Sequence, residues 1–304
     1  MRVTFNSFPD TLLGRLQSLG SEQNKALVQL STGQRLAAPS DDAPAMQRVL
    51  NLRAEKKQNQ QFYRNAIDGL EISKTSFSTL DQMSDLLTRA TELSSNVSGV
   101  TSEQDFKAKF SEINQLIEQG LNVANTKLRG SYLFAGDASG SATAPFKADR
   151  DADGFISNFT YQGSETVAEI NISETSSIST FTDPAENKDM AAMLNQLVVL
   201  RDSLKNQDAN AVLAARTRLT DGDGNFEDKM LSTMSRAGSV QYRLETAMKD
   251  LEIRYEGTEQ LISTDADIDF AEATVRLNRA QMAYQAAIQS GAMIQSNSLL
   301  DYLR

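Results

Sequence analysis

Apolar side chains recur every three or four residues near the start of the chain, at Phe5, Phe8, Leu12, Leu16, Leu19, Ala26 and Leu30. The same spacing returns near its end, at Phe270, Ala273, Leu277, Ala280, Tyr284, Ala287 and Ile294, before a close on Leu299-Leu300-Asp301-Tyr302-Leu303-Arg304. Such spacing predicts two long amphipathic helices, each with one apolar seam of the kind a coiled coil buries. A helix of that length extends roughly 50 Å at 1.5 Å per residue. Order and burial usually fade at chain termini, yet here the termini carry well-formed heptads. Their seams want partners, each other first and then neighbouring copies.

The first helical pattern ends at Ser31-Thr32-Gly33. A second begins after Pro39-Ser40-Asp41-Asp42-Ala43-Pro44, carries Tyr63, Ala66, Leu70, Phe77, Leu80, Met83 and Leu87 on one face, and fades by Ser94-Ser95-Asn96. Thr101 with Gln104 reads as a capping box for a third helix. Its seam is Phe106, Phe110, Ile113, Ile117, Leu121, Ala124 and Leu128, and Gly130 closes it. From 131 to 182 glycine, serine and threonine rise and the period drops to two. The runs Phe155–Tyr161 and Val167–Ile172, flanking Gln162-Gly163-Ser164-Glu165, predict strand, turn and strand. A segment of about 50 residues buries only a small core, so a compact β-rich insertion on a helical body is expected. Asp183-Pro184 suits an N-cap followed by proline at the first helical position. Helical pattern resumes through Met190, Leu194, Leu197 and Leu204. After Asp221-Gly222-Asp223-Gly224 comes the cleanest seam, Met230, Met234, Ala237, Leu244, Met248, Leu251 and Tyr255, and the final helix is expected to start near Asp265 to Asp269.

The predicted fold is therefore mainly α: nested long helices, in a terminal coiled-coil layer plus a helical bundle, with a small β-rich insertion domain. Residues 1–42 and 265–304 form the terminal assembly layer, 43–130 and 183–264 the bundle, and 131–182 an outward-facing insertion.

Composition removes alternatives. Forty acidic against thirty basic residues give a net charge of −10, which disfavours nucleic acid or an anionic membrane as partner. No apolar run approaches the length of a bilayer span, so no membrane insertion is expected. There is no cysteine and no histidine, which excludes disulfides and thiol catalysis and removes the usual general base and the commonest metal ligand. Met1-Arg2-Val3-Thr4-Phe5 lacks the charged-then-apolar pattern of a cleavable signal.

The connector between the first two helices has its own chemistry. Gly33 follows a helix, where tolerance of positive φ makes a low-cost stop. Pro39 discourages helix at Ala38, and Ser40, Asp41 and Asp42 offer acceptors to the amides that open the next helix. Arg35 is a cation able to pair with those carboxylates or with a neighbouring subunit. On chemistry alone this is a well-made helix–loop–helix.

Ser31-Thr32-Gly33-Gln34-Arg35-Leu36 followed by Pro39-Ser40-Asp41-Asp42-Ala43 resembles the N-terminal signature of the bacterial flagellin superfamily. Ala271-Glu272-Ala273 to Leu299-Leu300-Asp301-Tyr302-Leu303 resembles its closing helix. Gly130-Ser131-Tyr132-Leu133-Phe134-Ala135-Gly136 resembles the Tyr-Leu-Phe-Ala-Gly element of that superfamily's hook–filament junction proteins, and Tyr161-Gln162-Gly163 also suits them. The resemblance implies a non-enzymatic structural protein of the bacterial flagellum, without cofactor, that joins hook to filament as an adaptor layer. It implies homo-oligomers, hook-associated protein 1 on the hook side and flagellin on the filament side. It also implies unfolded passage through the flagellar export machinery, with a chaperone and without a cleaved signal, to an extracellular site. Under it the connector (Gly33, Arg35, Pro39, Ser40, Asp41, Asp42) sets the angle between terminal layer and bundle. The assembly seams are Phe5, Leu12, Leu16, Leu19, Leu30, Leu277, Tyr284, Ile288, Leu300 and Tyr302. One alternative is a minor filament flagellin. Another, of a different class, is a calcium-binding helical adhesin or sensor domain.

That last alternative stands on Asp149-Arg150-Asp151-Ala152-Asp153-Gly154-Phe155-Ile156, which matches the first half of an EF-hand loop. The twelfth place is Thr160 rather than glutamate, and the flanks read as strand. Glu165 supplies a carboxylate only if a hairpin folds it back. The plainer reading is a solvated Asp/Gly turn, with no metal. Asp221-Gly222-Asp223-Gly224-Asn225 reads as an interhelical loop because Phe226 holds the required glycine place. Met230, Met234 and Met248 read as core, Arg53, Lys56, Lys57 and Arg64 as a solvated face, and no carboxylate pair points to glycosidase chemistry without geometry.

Overall fold

A computed structural model describes the backbone of residues 7–138, 140–221 and 225–302, and their side chains except those of 7–9 and 294–302. The expected class holds: among the described residues seven helices dominate and the strands are short. The helices are α1 (Ser7–Thr32), α2 (Ala43–Ser95), α3 (Glu103–Ala124), α4 (Pro184–Lys205), α5 (Ala209–Thr220), α6 (Phe226–Ala266) and α7 (Phe270–Tyr302). Between α3 and α4 lie three two-stranded antiparallel ribbons. They pair β1 (Lys127–Leu128) with β2 (Ser131–Tyr132), β3 (Phe146–Arg150) with β4 (Ile156–Tyr161), and β5 (Glu169–Asn171) with β6 (Ser177–Ser179). The chain divides into two compact units, Met1–Gln58 with Arg254–Arg304, and Asn59–Ile253.

The helices follow the apolar periodicity, and the local departures have identifiable causes. The cap of α3 is Ser102, whose hydroxyl accepts from the Asp105 amide at 3.2 Å. Thr101 instead closes the preceding turn, its hydroxyl accepting from the Ser98 amide at 2.9 Å. Helix α3 stops at Ala124 rather than at Gly130. The Asn125 side chain there bonds both backbone groups of Phe146, at 2.9 and 3.0 Å, and Leu128 passes into β1. Gly130, at φ +88°, sits with Arg129 at φ +51° in the β1–β2 turn. The two expected strands do not pair with each other. β4 pairs with β3 and β5 with β6, because the segment between β4 and β5 is held elsewhere: Gln162 donates to Pro145 O at 2.7 Å and Ser164 to Ala135 O at 3.0 Å.

Within the Asn59–Ile253 unit, one core runs without a break from helices to ribbons. Leu80, Met83, Ile113, Ile117, Leu194 and Leu197 share it with Leu133, Phe134, Phe146 and Ile156. Arg201, only 2% exposed, crosses this layer. Its guanidinium donates to the Ile156 carbonyl at 2.7 Å and to Asp202 at 2.6 Å, so the buried cation is paired. Two capped junctions frame the unit's later helices. Glu186 reaches back to the Asp183 amide at 2.9 Å to open α4, and Asp208 accepts from Asn210 and Ala211 to open α5.

Candidate functional site

In the terminal unit, α1 and α7 lie side by side. Leu12 packs onto Gly291, Tyr284 beside Gly20 and Phe270 beside Gly33, so the pair is antiparallel. The small residues Ala26, Ala273 and Ala280 of these two helices are all buried. Leu12, Leu16, Leu19, Leu30, Leu277 and Tyr284 are half-buried along the same line. Ile288 lies off the line and is exposed. Phe5 is outside the described residues, as are the side chains of Leu300 and Tyr302, whose backbones lie in α7.

Where the pair ends, two connectors cross. Gly33 takes φ +71° and its amide donates back to Gln29 O at 2.9 Å, a left-handed helix stop. The next residues run as a short antiparallel bridge against the α6–α7 joint, with Arg35 N donating to Ala266 O at 2.6 Å and Ile268 N to Gly33 O at 3.0 Å. Buried Gln29 donates from its side chain to Arg35 O at 2.7 Å. The Arg35 guanidinium donates to the Asp265 carbonyl at 2.7 Å and lies 3.6 Å from the Asp42 carboxylate. Leu36 fills a small core with Ala45, Val49, Ile262 and Ala266.

The adjacent carboxylates divide the work. Asp42 accepts from Ala45 N at 3.0 Å and so caps α2. Asp41 instead folds back, taking the Ala37 and Ala38 amides on one oxygen at 3.1 and 3.0 Å and the Lys25 ammonium on the other at 2.8 Å. The Lys25 hydrogen bond, with the Ala38 amide, holds the Asp41 carboxyl below its ordinary pKa. Asp265 is gripped by Arg48 through two bonds of 3.0 and 2.9 Å, and that guanidinium likewise lowers its pKa. Pro39 and Ser40 sit exposed at the connector's outer edge. The geometry thus gathers Gly33, Arg35, Asp41 and Asp42 into one node and adds Lys25, Gln29, Arg48 and Asp265. Gln29 was findable as a polar residue in an apolar stretch; Asp265 and Arg48 meet only through tertiary structure.

The Tyr132–Gly136 element lies in the other unit and faces inward. Tyr132, Leu133, Phe134 and Ala135 are buried. Gly136, at φ +63°, leaves no room for a side chain, since a Cβ there would come within 2.7 Å of the Thr166 carbonyl. Asn187 donates to Phe134 O at 3.2 Å and to the Tyr161 hydroxyl at 3.1 Å, fastening the element to α4. Burial raises the Tyr161 pKa. The motif is therefore a core plug.

The acidic turn is the loop of the β3–β4 hairpin. Asp151 accepts from the Asp153 and Phe155 amides at 3.0 and 2.9 Å, Asp153 pairs with Lys205 at 3.0 Å, and Asp149 with Lys147 at 2.9 Å. Glu165 pairs with Lys188. Among the described residues no three acidic side chains converge as metal ligands. Residues 222–224 of the second acidic loop lie outside the description. Of the basic stretch, Lys56 pairs with Glu259 and lies 4.8 Å from the Tyr255 ring centre.

The bacterial flagellin N-terminal helical region matches residues 10–139, and the bacterial flagellin C-terminal helical region matches residues 225–303. A flagellin of Halalkalibacterium halodurans is 24% identical over 287 residues, 93% of each chain. Salmonella flagellins are 29% identical over 137 residues, and the match spans only 27% of their length. Among solved structures, a putative flagellar hook-associated protein from Vibrio parahaemolyticus superposes with a TM-score of 0.61 at 17% identity, over 75% of this chain and 100% of that one. Bacillus cereus FlgL does so with a TM-score of 0.56 at 20% identity, over 69% of this chain and 97% of that one.

Proposed function

The chain belongs to the bacterial flagellin family, and from that premise we propose that it is a structural protein of the flagellum joining hook to filament, assembling through its terminal helices. The observation that carries the reading is the terminal pair. Helices α1 and α7 close on each other through one face, yet Leu13, Leu27 and Val28 on α1 and Val275, Met282 and Met293 on α7 remain exposed. A long helix pair that keeps apolar surface outside is suited to cover it with further copies. Such contacts are heterologous, and they make helical arrays when the rotation does not close.

The role is mechanical rather than enzymatic. In this reading the hook-side neighbour is hook-associated protein 1, the filament-side neighbour is flagellin, and copies of the chain adjoin laterally. The subunit reaches this extracellular place through the flagellar export machinery with a chaperone. Support for a junction rather than a filament role comes from the fold shared with FlgL over nearly all of that protein's length. The connector node, which ties the end of α1 to the start of α7, would fix the geometry each copy presents to the next.

One observation favours a second reading, a minor filament flagellin: the Halalkalibacterium flagellin aligns over 93% of both chains. The two part in what they grow upon. A junction piece needs its neighbours to be preferred over itself, and a gap of about 3 kcal/mol already means more than about a hundredfold. Purified subunits seeded onto hooks carrying hook-associated protein 1 should cap them in a brief zone under electron microscopy, and alone should give monomers or short oligomers. Micrometre-long filaments of this protein alone would establish the flagellin reading instead.

A further inference from the structure

Sulfur in this chain belongs to methionine alone, with ten methionines and no cysteine. Met83, Met190, Met193 and Met230 are sealed in the core of their unit. Met282 and Met293 differ: on α7 they stand 62% and 67% exposed. At 3.6 residues per turn, Val275, Met282 and Met293 fall within about 20° of one line along the helix. That line is opposite Ala273, Ala280 and Gly291, which face α1. The exposed flank of α1, Leu13 and Leu27, offers an apolar counterpart. If the α1–α7 pairing repeats between copies, the outer line of one α7 meets the outer flank of the next copy's α1, continuing the contact already made within each chain.

We propose that Met282 and Met293 make this copy–copy contact sensitive to peroxide. As thioethers they complete the apolar line that a second copy covers; as sulfoxides they interrupt it. The inference rests on reading the terminal helices as the assembly surface. Chemically, the sulfur lone pair attacks one peroxide oxygen, the O–O bond breaks and an S–O bond forms. Water leaves, the sulfur is oxidised by two electrons and the peroxide is reduced. A flexible apolar side chain becomes polar, and burying that dipole without a partner is unfavourable. Reaction falls on the free subunit, because a covering copy hides both sulfurs.

The test uses the full chain, treated with dilute hydrogen peroxide, with one added oxygen at each of the two positions confirmed by mass spectrometry and helix content checked by circular dichroism. The concentration for half-maximal growth on hooks carrying hook-associated protein 1 should rise at least about tenfold. Repair with methionine sulfoxide reductases of both stereospecificities should restore it. The Met282→Leu/Met293→Leu chain should grow on hooks at the same half-maximal concentration before and after peroxide treatment, and assembled copies should oxidise more slowly than free ones. Unchanged growth of the oxidised chain, undiminished peroxide sensitivity of the double variant, or equal oxidation in both states overturns the proposal while leaving the junction reading intact. Untreated protein that never grows on hooks sinks that reading, and this inference with it.

Discussion

The two units are stabilised in opposite ways. The Asn59–Ile253 unit buries large side chains completely, among them Phe134, Phe146, Leu80, Met83 and Ile113. The terminal unit seals mostly alanines, and its larger residues, such as Leu12, Leu16, Leu19 and Leu277, stay half-solvated. Full burial of a large apolar side chain is worth about 1.5–3 kcal/mol, so the first unit draws its stability from itself. In the terminal unit much of that gain is still unrealised in a single chain. Apolar surface that a monomer leaves half-covered is a store of association energy, in keeping with the proposed assembly through the terminal helices.

The largest expected contrast is between core and seam. Phe134→Ala, which empties a site with no solvent exposure, should cost about 3–5 kcal/mol in urea denaturation. Leu16→Ala, on the half-buried seam, should cost about 1 kcal/mol or less in the monomer while strongly weakening growth on hook ends. Equal stability losses from both would erase the distinction between the units.

A second way to break the comparison is limited proteolysis of verified monomer. Two paired helices with little other cover are marginal in water, so protease should trim residues before about 32 and after about 268 first. A helical, cooperatively melting core should survive. Protection of both ends in a monomer would mean that the terminal pair is as self-sufficient as the rest.

The connector sharpens the contrast. Replacing Asp41 and Asp42 together by alanine removes the α2 cap and the clasp on Ala37 and Ala38, at about 1–2 kcal/mol by analogy with other caps. The melting temperature of the large core should barely move, whereas assembly and motility should be lost. A collapsed monomer accompanying lost motility would reduce the node to an ordinary helix–loop–helix.

How far the sequence revealed this depends on the range of the interactions involved. The 3–4 periodicity exposed every long helix because it is a local consequence of burying one face. Gly33, Asp42 and Pro184 were readable for the same reason, since caps and stops act within a few residues. The ribbons were harder. β5 and β6 are three residues each, too short for alternation to show, and the real partner of β4 lies before the Asp149–Gly154 turn rather than after it. The node was half visible: Arg35, Asp41 and Asp42 advertise themselves, but the grip of Arg48 on Asp265 joins positions 217 residues apart. The Tyr132–Gly136 element was legible as a signature but not as buried, because nothing in five residues says which way they face.

Acid should loosen the connector node. Both Asp41 and Asp265 have lowered pKa values in the folded chain, so the folded state binds those protons less readily than the unfolded one, whose aspartates titrate near about 3.9. Their contribution is therefore complete above that value and fades as pH falls through the depressed folded pKa values. Protease sensitivity at the connector should be low from pH 7 to about 5 and rise in more acidic buffer. Asp41→Asn/Asp265→Asn should be sensitive throughout and change less with pH. A connector whose protection does not vary with acid in the parent chain would show that these carboxylates do not hold it.

The smallest expected effect is that of calcium. A calcium ion needs six to eight oxygens, and the aspartates of the β3–β4 loop are already committed to two amides, Lys205 and Lys147. Thr160, where an EF-hand places a bidentate glutamate, is exposed on β4, and Glu165 is drawn to Lys188. Binding would have to break these pairs, so affinity should be weak, and even ligand at ten times its Kd adds only about 1.4 kcal/mol. Millimolar calcium should leave the melting temperature nearly unchanged. Asp151→Ala should lower that temperature with or without calcium, because it releases the Asp153 and Phe155 amides that shape the turn. An upward shift with calcium that disappears in Asp151→Ala would instead make the hairpin a metal site, and a second part of the molecule would then depend on something outside the chain to complete its stability.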